Sequence, residues 1–334
     1  MKIEKLKKNN YKLFCNYLLK NYNKNHIFLK SKKLFDWQYF FKKNYNFYIL
    51  KKKNKIVAIQ GFIPLNYYDN NLVNEGYFLS LWSSSAASYG SKLFFEFQKK
   101  IKKKILIGLG SSEQSFVFQK MLNFNCGYFD HYFLTSEKKI KNLIIPKNFS
   151  NFKKTKNKIN FELLKNERQI KSINSKVFYN QIPSKSPTYL INRYFKHPVY
   201  SYHIYSLKIK KKEIGIFVFR VCNFKSSNAL RIVDFIGSNE TFSEGRYLFK
   251  FALKNYDAEY IDLYSVGIPH KFLSKSGLEN INKYKNIKIT IPNYFEPFFK
   301  KNIVLPYAYK NSGNTKKTIR FFKGDSDLDR PNLL

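Results

Sequence analysis

Two stretches of this chain repeat in one register, 155 residues apart. Trp37-Gln38-Tyr39-Phe40 is answered by Asn192-Arg193-Tyr194-Phe195, and Gly90, Leu93 and Phe94 by Gly245, Leu248 and Phe249. Ile105-Leu106-Ile107 falls opposite Tyr260-Ile261-Asp262 at the same offset. Single identities carry little. The weight lies in a helix signal, a hairpin signal, a strand–loop–helix signal and a further strand that recur in one order, as in a duplicated unit. At 334 residues the chain also exceeds the roughly 250–300 residues at which one core stops growing, so two domains are expected.

In the first copy Leu6, Leu13, Phe14, Tyr17 and Leu18 recur at helical spacing, and Leu34, Trp37, Tyr39 and Phe41 suggest a second helix. Phe47–Leu50 and Ile56–Ile59 flank a lysine turn and predict a hairpin. Tyr77–Trp82 reads as a strand, followed by small residues from Ser83 to Ser88 and a helix whose buried face is Leu93, Phe94 and Phe97. Such a loop leaves backbone N–H groups unpaired at the positive end of a helix dipole, and small side chains let an anion approach them. Ile105–Gly110 is a buried strand leading into a helix with Phe116, Val117, Met121 and Leu122, and Tyr128–Leu134 is a strand expected to close the domain. Gly108-Leu109-Gly110 lacks the further glycine of a dinucleotide fingerprint, and no phosphate-loop lysine motif is present.

The boundaries that follow are a first domain at 1–135, a linker at 136–158 with a short strand at Leu143-Ile144-Ile145, and a second domain at 159–334. The second copy offers a helix at Tyr189–Phe195, a hairpin from Ser201–Ile209 and Ile214–Phe219, and a central strand at Ile232–Ile236. Its loop, Gly237–Gly245, carries Glu240 and Glu244, which would repel a phosphate. The tail from Asp325 alternates carboxylates but lacks the glycine and terminal glutamate of a calcium loop. No metal is expected; a polar tail, solvated or facing substrate, is.

Composition bounds the setting. No stretch approaches the roughly 18–20 apolar residues of a spanning helix, and the charged N-terminus has no apolar signal core. Cys15, Cys126 and Cys222 are too scattered for a metal or disulfide framework, which points to a reduced, cytoplasmic protein. The net charge of +39 has two readings: a surface for nucleic acid or another phosphate-bearing partner, or the lysine bias of an AT-rich genome.

The order of elements in residues 5–135, with the later helix ending in Leu122-Asn123-Phe124, resembles the GNAT-superfamily acyl-CoA N-acyltransferases. That family's phosphate loop runs Gln/Arg-x-x-Gly-x-Gly/Ala, and Ser85-x-x-Ser88-x-Gly90 stands in its place, keeping the last position. The family's later helix starts with Asn, carries a Tyr seven residues on as acid for the departing thiolate, and ends in Gly-Phe. Ser112, Gln119 and Asn123-Phe124 occupy those positions, while Val266 and Leu273 occupy the first two in the second copy.

The resemblance implies an α/β (α+β mixed-sheet) fold in two tandem GNAT-like domains. It implies an N-acyltransferase moving an acyl group, in the first instance acetyl, from acetyl-CoA or another acyl-CoA to a small-molecule amine. An amino sugar of a surface polysaccharide, or a nucleotide-linked amino sugar, is the expected acceptor. Backbone around Ser85, Ala86, Ala87, Ser88, Tyr89, Gly90 and Ser91 would hold the pyrophosphate, and Leu81, Trp82 and Ser83 would align the pantetheine. Only the first copy is expected to bind CoA. The amine must lose a proton, for which Glu113, Glu75 or His131 are candidates, while Trp37 and Tyr39 are candidates for lining the acceptor site. Each has a structural alternative: a helix-dipole acid, a solvated strand end, a buried histidine, an aromatic core stripe. Tandem copies also resemble Fem-type peptidyltransferases, which use aminoacyl-tRNA. A non-catalytic scaffold and a basic nucleic-acid-binding protein complete the alternatives.

Overall fold

The computed structural model describes residues 1–101, 105–137, 159–178, 181–284, 289–311, 313 and 316–332. The short strand expected at 143–145 lies outside the described residues. Contacts divide the chain into two compact units. The first comprises Met1–Gly127, Pro306–Thr315 and Arg330–Leu334, the second Tyr128–Leu305 and Lys316–Asp329.

The first unit begins with strand β1 (Lys2–Lys7), then helices α1 (Tyr11–Asn21), α2 (Ile27–Lys30) and α3 (Lys32–Tyr39). Strands β2 (Asn44–Lys52), β3 (Lys55–Pro64) and β4 (Gly76–Ser84) follow, then α4 (Ala87–Ile101), β5 (Ile105–Leu109), α5 (Glu113–Met121) and β6 (Asn125–Tyr128). Leu6, expected in a helix, lies in β1, which runs antiparallel to β2 with Glu4 opposite Ile49. The sheet order is β1-β2-β3-β4-β5, then a returning strand, Pro306–Asn311, then β6. Aromatic residues cover both faces. Phe14, Phe28, Phe35, Tyr39 and Phe47 cluster under α1–α3, and Phe62, Phe94, Phe97, Leu106 and Phe124 pack beneath α4 and α5. Each such side chain, fully buried, contributes roughly 1.5–3 kcal/mol, so these two layers fix the sheet against its helices.

The second unit contains β7 (Asp130–Thr135), β8 (Asn160–Leu164), α6 (Pro187–Leu190), β9 (Tyr202–Ile209), β10 (Lys212–Phe224), β11 (Ser227–Gly237), α7 (Asn239–Ser243), α8 (Arg246–Asn255), β12 (Ala258–Val266) and α9 (His270–Lys275). Its sheet runs Glu279–Asn280, β7, β12, β11, β10, β9, β8, and a C-terminal strand, Phe321–Phe322, pairs with β12. Tyr132, Leu134, Leu230, Ile232, Leu248, Phe249, Ile261 and Leu263 form the core beneath α8 and α9.

Two expectations are corrected. The strand read as closing the first domain is β7, which belongs to the second sheet, where Tyr132 lies opposite Leu263. The first sheet is completed instead by the returning strand, with Tyr307 opposite Leu109 and Ala308 opposite Gly108. Second, the tail is not solvated. Asp325 and Asp329 are 0% and 2% exposed, and each is ion-paired, with Lys185 and Arg220. Desolvation makes burial of a carboxylate tolerable only with such a partner.

Candidate active site

Strands β4 and β5 run parallel but part company. Their pairing spans Gly76 opposite Ile105 to Leu79 opposite Gly108 and ends there, while β4 continues to Ser84. The cause is local. Between β3 and β4, Gln60 faces Trp82 and Gly61 faces Ser80, so Leu81 is an extra residue, with φ of 31°. A bulge of this kind bends its strand and takes backbone groups out of the ladder. The buried Gln60 side chain pins it, donating to the carbonyls of Gly61 (2.7 Å) and Ser80 (3.1 Å). The result is a splay, with the β4 backbone from Ser80 to Ser84 along one side.

At the end of β4 the chain turns into α4. Ser85 N–H bonds to the carbonyl of Val57 (2.9 Å), and residues 85–88 are exposed. The first turn of α4 carries no acidic residue, so nothing opposes an anion at its positive end. Gly90 sits close against β4: a Cβ there would stand 2.7 Å from Ser84 Oγ. Lys52 Nζ donates to Tyr89 Oη (3.0 Å) beside this loop. Ser91 bonds back to the carbonyl of Ala87 (2.8 Å) within the helix.

The other expected residues are scattered. Leu81 is the bulge itself, Trp82 is half-buried against Phe94 and Phe118, and Ser83 lies 3.1 Å from Tyr17 Oη. Glu113 is exposed in the first turn of α5, after the β5 terminus and therefore at the open end of the splay. Glu75 precedes β4 at the opposite end, six residues and roughly 20 Å of strand from Leu81, which removes it from this site. His131 belongs to the second unit. Trp37 packs on Tyr68 at 5.3 Å. Tyr39 is 0% exposed in the aromatic core, and its hydroxyl donates to Ser80 (3.1 Å), so it buttresses the bulge rather than lining a cleft. Gln119 is 4% exposed, lies over Gly108 and accepts from Ser111 (3.1 Å). An amide has no proton to give a thiolate at neutral pH.

Sequence reading missed Gln60 and Tyr17. A lone glutamine in an apolar strand run, Ile59-Gln60-Gly61-Phe62, was the available signal for the first; nothing pointed to the second.

The second unit repeats the splay and fills it. Pairing of β11 with β12 ends at Ile232 opposite Leu263, and Val233 is the extra residue between β10 and β11. Into the gap comes the C-terminal strand, with Phe322 opposite Ser265 and Gly324 N–H bonded to the Val233 carbonyl (2.7 Å). Arg193 Nε holds the Gly324 carbonyl (3.0 Å), and Arg320 reaches the Gly237 carbonyl (2.6 Å) and Asn239 (2.7 Å). The loop itself is folded into α7, with Thr241, Phe242 and Ser243 buried.

No family model matches the sequence, and no curated protein matches it. Solved structures do match in fold. A GCN5-related N-acetyltransferase from Anabaena variabilis is similar over 93% of this chain and 73% of its own, with TM-score 0.57 and 11% identity. A protein of unknown function from Enterococcus faecalis V583, described as a probable N-acyltransferase, is similar over 91% and 72%, with TM-score 0.54 and 10% identity. The bulged central strand, the parting of its parallel neighbour and the helix that follows thus occur here twice, in a chain with the fold of the GCN5-related N-acetyltransferases.

Proposed function

We propose that the first unit is an N-acyltransferase that moves an acyl group, acetyl in the simplest case, from acyl-CoA to a primary amine. One observation carries this reading: the splay between β4 and β5, whose counterpart in the second unit holds an extended stretch of the chain itself. A pantetheine arm is likewise extended and bears amides, so the β4 edge that continues beyond the β5 pairing toward Ser84, its other edge held by β3, suits it as Val233 suits Gly324. The exposed loop at 85–88 and the acid-free N-terminus of α4 suit the pyrophosphate, with Lys52 alongside. Because the second gap is occupied by Phe321–Gly324, one acyl-CoA per chain is expected.

In the reaction the amine nitrogen attacks the thioester carbonyl, the C–N bond forms and the C–S bond breaks. Glu113, exposed at the open end, takes the amine proton through water. With Gln119 unable to donate, the thiolate leaves into solvent and is protonated there. An amino sugar, free or nucleotide-linked, is the acceptor class we favour, as a small amine that needs no protein-sized docking face.

Thermal unfolding of the full chain with and without acetyl-CoA tests this at fixed salt, with adenosine 3′,5′-bisphosphate and ATP as controls against nonspecific anion binding. Ligand at a hundred times its Kd stabilises by about 2.7 kcal/mol. Ser88→Glu, at an exposed position, is expected to abolish the shift without altering unfolding of the free protein. Absence of a shift with several acyl-CoAs overturns the reading and leaves aminoacyl-tRNA transfer or a non-catalytic role.

A further inference from the structure

The second unit contains a cavity of about 520 Å³, within the range of small-molecule sites, and its lining is unlike the rest of the chain. The chain has 61 lysines and arginines, yet among the described residues that line this cavity there is no lysine, arginine, aspartate or glutamate. Tyr128, Phe129 and Tyr284 supply aromatic surface, and Asn282 and Thr290 supply an amide and a hydroxyl. Among these described lining residues His131 is the one titratable ring besides the tyrosines.

That histidine is unusually well fixed. It is 5% exposed, and it lies opposite Tyr264 across the β7–β12 pair, with ring centroids 3.9 Å apart. Its Nε2 points to Asp262 at 3.6 Å, too far for a hydrogen bond, and has no other partner. Asp262 is itself gripped by Arg231 through Nε (3.0 Å) and Nη2 (2.7 Å). The stacking on Tyr264 commits one face of the imidazole and Nε2 is turned to Asp262, which leaves Nδ1 as the nitrogen available to a ligand in the cavity that His131 lines. Burial lowers its pKa below the ordinary value, which keeps the ring neutral and able to accept a hydrogen bond. The opposite wall is tied in place as well. Asn302 accepts from Ile291 N–H and donates to the Ile289 carbonyl, both at 2.8 Å, and Tyr264 Oη donates to the Ile303 carbonyl at 3.1 Å.

We propose that this cavity binds an uncharged hydroxylated ring, a pyranose in the simplest case, with His131 accepting a hydrogen bond from one of its hydroxyls. The aromatic rings suit the apolar C–H face of such a ring, and the amide and hydroxyl suit its rim. A phosphate or carboxylate would find no counter-charge among the described lining residues. The proposal stands apart from acyl transfer by the first unit, because every group it uses belongs to the second.

The test is a titration of the full chain with methyl β-glucopyranoside and its N-acetylglucosamine analogue, read on the ring resonances of the five histidines. His131→Gln assigns the signal. Saturable shifts of the His131 resonances are expected with at least one of the two. Val304→Trp, at a lining position that is 69% exposed, should narrow the mouth, weaken binding at least about tenfold and leave thermal unfolding unchanged. Absence of shifts at saturating sugar, shifts that persist undiminished in the Val304 variant, or shifts with adenosine alone would each overturn the assignment.

Discussion

Only seven of the 61 basic residues are arginines, and four of them, Arg193, Arg220, Arg231 and Arg320, are buried in the second unit at 6% exposure or less. In a chain that otherwise uses lysine, an arginine marks a place where its planar fork is needed. Arg231 shows why: it bonds Asp262 through Nε and Nη2, the Asn293 carbonyl through Nη1 and the Pro292 carbonyl through Nη2. Burial would raise the Asp262 carboxyl, but the guanidinium outweighs it and holds the pKa at about 2. Arg231→Met leaves that carboxylate buried without its partner and should cost about 3–5 kcal/mol in urea unfolding, most of it recovered by adding Asp262→Leu. A loss below about 1 kcal/mol, or no recovery, would show that the pair does not hold the sheet as described. At Gln119 the family's tyrosine would not be a repair. The amide nitrogen already lies 2.3 Å from where a Cβ on Gly108 would be, so Gln119→Tyr should overpack the site and lower stability by roughly 1–3 kcal/mol without gain of turnover. Improved turnover in acetyl-CoA hydrolysis or transfer by that variant would contradict this.

At the scale of elements, a glycine controls whether the second splay stays closed. A Cβ at Gly324 would stand 2.2 Å from Tyr194 Oη and 2.7 Å from the Val233 carbonyl, so neither a side-chain shift nor the backbone can make room cheaply. Gly324→Val should expel the C-terminal strand. Hydrogen exchange should then quicken at Ser265 and Val266 in β12, while β3 and β4 of the first unit keep their protection. Unchanged exchange at β12 would mean that the strand does not close the gap. The same strand shows what the sequence could convey. Helix and hairpin positions were legible because periodicity of 3.6 or 2 is local, and Gly90 and Gly245 marked the two equivalent helices. Phe321-Phe322 is two residues long, and its role depends on a partner more than 50 residues away in sequence. Tyr307, Ala308 and Tyr309 were equally silent about which sheet they would join, and β7 was placed in the wrong one. Pairing partners are set by packing of distant segments, which no local pattern encodes. The bulge at Leu81 was hidden for the same reason: its φ follows from register against β3, not from a glycine in the sequence.

Both units bury neutral histidines, and this sets how the whole molecule responds to acid. His26, in the first unit, is 5% exposed, caps α2 by accepting from Phe28 N–H, and has its pKa lowered to about 3 by burial and then by Arg330. His197, in the second, accepts from Val199 and Tyr200 N–H and is likewise lowered to about 3, by burial and then by Arg193. A histidine whose folded pKa is depressed gains its proton first in the unfolded chain. Stability is therefore complete above the unfolded value of about 6.5 and is lost as pH falls toward 3. Each contributes a slope of about 1.4 kcal/mol per pH unit between those limits, so the two together give roughly 2.7, shared between the units. Asp262, held at about 2, adds its own loss only below the ordinary carboxylate range, so between pH 6 and 4 the histidines dominate over it. Urea unfolding at pH 7 and pH 5 should show the decline, and His26→Asn with His197→Asn, which keeps a short acceptor for the backbone N–H groups but cannot titrate, should lessen its slope, leaving the share of His131 and His203, whose pKa values burial also lowers. If the double variant declines as steeply as the parent, the acid sensitivity lies elsewhere, in His131 and His203 or in the mutual repulsion of a chain carrying a formal charge of +39 at neutral pH, and added salt tells the two apart by restoring stability against repulsion while leaving a histidine-borne loss in place.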